Sequence, residues 1–196
     1  MNGINSICVF CGSSARVADV YKTAAADFGA VLARHDIRLI YGGGHVGLMG
    51  IVADGATAAG GQVTGIIPDF LDKIEIGHEN ISELIVTDSM HARKALMYEQ
   101  ADAFVTLPGG LGSLDETFEV LTWTQLGLSN KPIILVDIED YWQPLLALID
   151  HVIGAGFARP ENRQMIHVVK SVTDVLPLLN RLPDLPKADA ETAKRL

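Results

Sequence analysis

Cysteine is almost absent: Cys8 and Cys11 are the only two among 196 residues, too few for a disulfide framework. None is needed, because folding at this length hides roughly 70% of the surface an extended chain exposes. Also missing is any apolar run near the ~20 residues that cross a bilayer. The apolar stretches, such as Ser6 to Phe10 or Ile133 to Val136, are strand-sized, so no membrane partner is expected. The opening Met1 to Ser6 has neither the basic nor the apolar region of a secretory signal, and the expected location is cytoplasmic. Positive charge is scarce as well. Fifteen Lys and Arg face 24 Asp and Glu, for a formal charge of -9 with no densely basic stretch, which argues against nucleic acid as a partner. No linker or internal repeat interrupts the chain. Residues 1–182 are expected to form one domain, and 183–196, starting with Pro183-Asp184-Leu185-Pro186, a flexible tail.

What is present is a rhythm of short apolar runs, each ending in Gly, Ser or Pro and followed by a stretch with helical spacing. The expected strands are Ser6 to Cys11, Arg38 to Tyr41, Gln62 to Ile67, Leu84 to Thr87, Ala103 to Leu107, Ile133 to Asp137 and His167 to Val169. Helices are expected near Ala15 to Arg34, Gly47 to Ala59, Met90 to Gln100, Ser113 to Leu126, Tyr141 to Ala155 and Val172 to Leu179. Strands apolar on both faces belong in a parallel sheet covered on each side, so the fold class is α/β, a Rossmann-like doubly wound sheet of about seven strands. Cys8 and Cys11 form a C-x-x-C, which raises a redox reading. They lie in one strand, however, where residues three apart face opposite ways, so two buried free thiols are expected.

In such folds ligands bind beyond the carboxyl ends of the strands, and three loops there are rich in glycine. They are Cys11-Gly12-Ser13-Ser14, Tyr41-Gly42-Gly43-Gly44-His45-Val46-Gly47 and Leu107-Pro108-Gly109-Gly110-Leu111-Gly112-Ser113. Gly12, Ser13, Gly43, Gly44 and the Gly109 to Ser113 stretch are candidate phosphate holders, because glycine admits close approach to backbone N–H groups and a helix start adds positive charge. Tight turns are the plainer explanation for a single glycine. The second loop matches G-x-G-x-x-G at Gly42, Gly44 and Gly47, but Gln62 stands near the place of the acidic partner a dinucleotide site uses. Neither this loop nor the third carries the Lys of a P-loop.

Ser113 and Glu116 have the spacing of a capping box at the start of an amphipathic helix. Against that bland role stands a cluster of carboxylates, Asp115, Glu116 and Glu119, beside a loop suited to an anion; it fits a ligand with two ends. Further upstream, Ser89 is expected to cap a helix in which Arg93 and Lys94 fall near the first turn, where cations oppose the helix dipole. They share a stripe with Met90 and Met97. A solvated face explains this, and so does an anion-binding, half-apolar wall.

Met90-His91-Ala92-Arg93-Lys94 followed by Pro108-Gly109-Gly110-Leu111-Gly112-Ser113-Leu114-Asp115-Glu116 resembles the M-H-x-R-K and P-G-G-x-G-T-x-x-E signatures of the LOG (lonely guy) family. These are cytokinin riboside 5'-monophosphate phosphoribohydrolases, labelled lysine decarboxylases in older naming. The likeness runs from Cys8 to Phe157 and departs at Ser113, where the family has Thr. It implies hydrolysis of the N-glycosidic bond of a nucleoside 5'-monophosphate, such as a cytokinin riboside 5'-monophosphate or AMP, to free base and ribose 5-phosphate. It assigns Arg93 and Glu116 as the catalytic pair, and Lys94, the Gly110 to Asp115 loop (Leu111, Gly112 and Leu114 included), Glu75 and Thr122 as substrate-binding positions. It also implies a homodimer with a shared active site and no cofactor. A carboxylate at a helix N-terminus is expected to stay ionised, able to stabilise an oxocarbenium-like ribose or to orient water, with Arg93 positioning the phosphate, the Glu116 carboxylate or the departing base.

The lysine decarboxylase label would require pyridoxal phosphate, a Schiff-base lysine and a larger chain. Neither H-x-H nor H-x-x-x-H occurs among the six histidines, so no metal is expected. A nucleotide-sensing protein that binds without turnover is the alternative function.

Overall fold

The computed structural model describes residues 3–183 except 76 and 79, without the side chains of 73–75. The expected tail, apart from Pro183, lies outside the described residues. Strands and helices alternate: β1 Ser6–Phe10, α1 Asp19–Arg34, β2 Arg38–Tyr41, α2 Gly47–Ala58, β3 Val63–Pro68, α3 Asp69–Glu75 and β4 Glu83–Thr87. They continue with α4 Met90–Gln100, β5 Ala103–Thr106, α5 Leu111–Gln125, β6 Ile133–Val136, α6 Gln143–Gly154, β7 Ile166–Val169 and α7 Val175–Leu179. The strands form one sheet in the order β4-β3-β2-β1-β5-β6-β7, and every pairing is parallel. The chain therefore winds outward from β1 in one direction, returns, and winds outward from β5 in the other. The carboxyl ends of β1 and β5 flank the switch point at which such sheets bind ligands.

Alternation along β1 divides the interior. Ile7, Val9 and Cys11 face a core with Phe28 and Leu32 of α1, Val52 of α2 and Val175 of α7. Cys8 and Phe10 face a second core with Met97 and Tyr98 of α4 and Val120 of α5. A third cluster joins Leu135 of β6 to Trp142, Leu145 and Leu146 at α6. Both cysteines are free and buried, and they sit in different cores, which disposes of the redox reading. Helices α1 and α2 touch backbone to backbone. A Cβ on Gly29 would stand 2.1 Å from the Val52 carbonyl oxygen, and one on Gly55 would stand 2.3 Å from that of Ala26.

Several boundaries depart from expectation. α1 starts at Asp19 rather than Ala15, because the Ser14 hydroxyl accepts from the Arg16 N–H at 3.2 Å and Ala18 is extended. α3 was not expected; Asp69 and Asp72 favour its first turn by offsetting the helix dipole. α6 starts at Gln143 rather than Tyr141, because Glu139 and Asp140 take left-handed φ values of 51° and 58°. α5 starts at Leu111, with Gly110 as its N-cap, not at Ser113.

Candidate active site

The three glycine loops meet beyond the ends of β1, β2 and β5. Gly12 donates its N–H to the Pro108 carbonyl at 3.1 Å and accepts from Leu48 at 2.9 Å, tying all three together. Gly47 has φ +62°, and a Cβ there would lie 2.3 Å from the Ser13 carbonyl carbon. One on Gly109 would lie 2.1 Å from the Ser113 hydroxyl oxygen. Gly43 accepts from the His78 N–H at 3.1 Å, and Gly44 pairs with Gly77. Much of the glycine content thus serves contact between loops. Gly110 and Gly112 differ: a Cβ on either meets nothing within 4 Å. They border open space at the start of α5, where no side chain caps the helix and the first N–H groups lack helical partners.

The expected capping box is therefore not formed. Ser113 lies inside the first turn, with its carbonyl accepting from the Thr117 hydroxyl at 2.6 Å. Thr117 in turn pairs with Thr106 at 2.9 Å, which ties α5 to the end of β5. Glu116 turns instead to α4, where Nη1 of Arg93 lies 3.3 Å from its Oε1. α4 is capped by Ser89, as expected, its hydroxyl accepting from the Ala92 N–H at 3.1 Å.

Arg93 is 7% exposed, so the solvated-face explanation fails for it. Its Nε donates to the Ile66 carbonyl at 3.0 Å and its Nη2 to the Gly42 carbonyl at 3.3 Å, while Nη1 meets the Met90 sulfur at 3.3 Å. A Cβ on Gly42 would stand 2.1 Å from Nη2. The guanidinium is thus held from β2, β3 and α4, and its remaining charge faces Glu116.

The Glu116 side chain is 13% exposed. Burial pushes its pKa up from the usual 4.5 to about 7; Arg93 and Lys94 pull it down, and Asp115 and Glu119 push it up. This corrects the expectation of a fully ionised carboxylate, because desolvation outweighs the helix end and the guanidinium. Lys94 bridges the other two acids, with Nζ 3.2 Å from Asp115 and 3.0 Å from Glu119. Burial opposes its charge, yet the Glu119 and Asp115 carboxylates hold its pKa above the ordinary value. Beside the pair, Phe10, Met97, Tyr98, Phe104 and Trp123 wall a narrow crevice that is partly open to solvent, with Lys94, Glu116 and Glu119 also lining it.

Other expected site residues are less central. Leu114 packs against the third core cluster, and the Thr122 hydroxyl donates to the Phe118 carbonyl at 2.7 Å within its own helix. Glu75 ends α3, and its side chain lies outside the described residues. Three features were not read from the sequence: the carbonyls of Gly42 and Ile66 that seat Arg93, the bond from Lys94 to Glu119, and the Tyr141 hydroxyl, which donates to the Gly109 carbonyl at 2.7 Å.

Residues 49–179 match the family profile described as "Possible lysine decarboxylase". The chain is 45% identical over 168 residues to the cytokinin riboside 5'-monophosphate phosphoribohydrolase of Rhodococcoides fascians, covering 85% of each. It is 41% identical over 190 residues to the enzyme of that name, LOG1, of Arabidopsis thaliana, covering 96% of this chain and 88% of the relative. Among solved structures, the molybdenum cofactor binding protein of Rippkaea orientalis superposes with a TM-score of 0.70 at 23% identity, over 90% of this chain and 96% of that one. The molybdenum cofactor carrier protein of Chlamydomonas reinhardtii gives 0.69 at 20%, over 91% and 97%. At those identities the likeness is of fold. With identity above 40% along most of its length, and with both signature stretches meeting at one buried ion pair, the chain belongs to the LOG family of cytokinin riboside 5'-monophosphate phosphoribohydrolases.

Proposed function

We propose that the chain hydrolyses the N-glycosidic bond of a nucleoside 5'-monophosphate, with Arg93 and Glu116 at the reacting centre. The observation that carries this reading is the buried Arg93–Glu116 pair beside the uncapped start of α5. The 5'-phosphate is placed on the N–H groups of Gly110 to Ser113, where the helix dipole favours an anion. Asp115, Glu116 and Glu119 outnumber Arg93 and Lys94, so the ribose, and not the phosphate, turns toward this cluster. There Asp115 and Glu119, steadied by Lys94, are available to accept from sugar hydroxyls.

As the bond to the base lengthens, positive charge grows on the ribose ring, and ionised Glu116 stabilises it. Water then bonds through oxygen to C1', and the C1'–N bond breaks with its electron pair leaving on the base. One water proton passes to Glu116, and the base takes up one proton in exchange. A pKa of about 7 suits a group that must take up and return a proton near neutrality. Arg93, fixed by two backbone carbonyls, is assigned to holding Glu116 in place.

The residues present do not fit lysine decarboxylation through pyridoxal phosphate. Lys94, the lysine of this cluster, is bound to two carboxylates that favour its charged form, the reverse of what Schiff-base formation needs. A cytoplasmic homodimer sharing its active sites completes the proposal; the dimer, though not the location, is supported by Leu111 and Leu126 of the α5 region, which are 86% and 65% exposed. The experiment is incubation of purified protein with AMP and with an N6-prenylated AMP, followed by chromatography. Free base and ribose 5-phosphate in equal amounts are expected; tight binding of either nucleotide without release of base would instead favour a sensing role.

A further inference from the structure

The loop after β6 carries a side chain that the mechanism above leaves unused. The Tyr141 hydroxyl donates to the Gly109 carbonyl at 2.7 Å, linking the end of β6 to the ligand loop that follows β5. The Gly109 carbonyl and the Gly110 N–H belong to one planar trans peptide, so they point in opposite directions. Glycine on both sides of that peptide removes the Cβ atoms that would resist its rotation. On the Gly110 side nothing stands within 4 Å of a Cβ position, whereas on the Gly109 side the Ser113 side chain fills that place, so the freedom lies toward Gly110. Without an anchor, the peptide is able to turn over and present a carbonyl oxygen, which repels an anion, where its N–H had been.

We propose that Tyr141 is a positioning residue: its bond to Gly109 locks this peptide with the Gly110 N–H turned toward the 5'-phosphate, a role that rests on the phosphate lying at the Gly110 to Ser113 amides. Tyr141 is itself firmly placed. Asp140, one of two consecutive left-handed residues before it, is bound to Lys170 at 2.5 Å, and Lys170 to the buried Asp137 at 2.6 Å. Asp137 also accepts from the Trp142 N–H at 2.7 Å, just past Tyr141. The tyrosine ring meets Tyr21 of α1 edge-on, at 5.6 Å between centroids. The turn is therefore clamped on both sides of Tyr141, and the ring is braced against α1.

Tyr141→Phe removes the hydroxyl and keeps the ring. KM for AMP is expected to rise about 5- to 10-fold, the scale of one hydrogen bond, with kcat changed less than about twofold. The Ki of ribose 5-phosphate should rise in parallel, while that of adenine, which has no phosphate, stays put. The melting temperature should hold within a few degrees. Tyr141→Leu, which also loses the ring contacts, should show the same KM at a lower melting temperature; if KM instead tracks melting temperature across the two variants, the role is structural and the proposal falls. Unchanged KM and unchanged ribose 5-phosphate inhibition in Tyr141→Phe, with a wild type that prefers ribose 5-phosphate to ribose, overturns the role of Tyr141 alone. A wild type that does not prefer ribose 5-phosphate to ribose overturns the phosphate placement, and the inference with it.

Discussion

Nη1 of Arg93 stands 3.3 Å from Oε1 of Glu116, although the two side chains come from helices that follow different strands. α4 delivers the cation and α5 the acid, and both are largely withdrawn from water. Neither is free to serve as an ordinary surface charge, and each limits what substitution of the other can reveal.

Glu116→Gln keeps the size and one acceptor oxygen for Arg93 but cannot take a proton from water. Turnover is expected to fall by roughly 10²-fold or more, the scale of a positioned general base, with melting temperature within a few degrees of wild type. Release of base from AMP and a thermal melt on the same sample decide it. A stable variant with normal turnover would remove Glu116 from the chemistry.

The raised pKa makes two statements about pH. Activity that needs ionised Glu116 should climb with pH and level off above about 7; an inflection in kcat/KM near the ordinary 4.5 would contradict its burial. Stability runs the other way. The folded chain holds this proton more tightly than the unfolded chain, so the associated stability is present below about 4.5 and lost as pH rises through about 7. The Glu116→Gln variant should lack that loss when melts are compared from pH 4 to pH 8.

Gly42→Ala tests the seat of Arg93 while leaving both charged residues in the sequence. The new Cβ would fall 2.1 Å from Nη2, the mobile end of a side chain, so the guanidinium should yield before the backbone does. The expected result is a folded protein with turnover lower by about 10²-fold, as small displacements in a site can cause. Wild-type turnover would mean that Arg93 need not be held there.

Removing the phosphate from the substrate tests the helix end. AMP should exceed adenosine in kcat/KM by about 10²-fold or more, since the remote group anchors the reacting ribose. Comparable values for the two would leave the Gly110 to Ser113 amides without a ligand.

The parallel sheet was legible because each buried strand is apolar on both faces, and the site loops because glycine clusters at three strand ends. The Arg93 and Glu116 assignments came from the motif resemblance, and the structure brings the two together. Ser113 misled for a definable reason. S-x-x-E spacing describes a local bond, whereas the partner that claims Glu116 is on another helix and has no fixed sequence distance from it. Glu116's protonation was misjudged likewise, because a helix end is visible in sequence and the degree of burial is not. The bond from Tyr141 to Gly109 spans two strand-end loops and leaves no periodic trace. The left-handed Glu139 and Asp140 gave no signal, since neither is the glycine such a turn usually takes.

The contact between α1 and α2 makes the far side of the sheet a lever on the ligand loops. Val52 and Ala26 offer their backbones directly to Gly29 and Gly55, so a single added methyl group acts as a wedge between rods that have no compressible side chains to absorb it. α2 cannot tilt freely, because its first residue, Gly47, is seated on Ser13 and its second, Leu48, is bonded to Gly12. A side chain at Gly29 must therefore displace the Val52 backbone, and any shift of α2 that makes room for it is carried to the loops that seat Gly47 and Leu48.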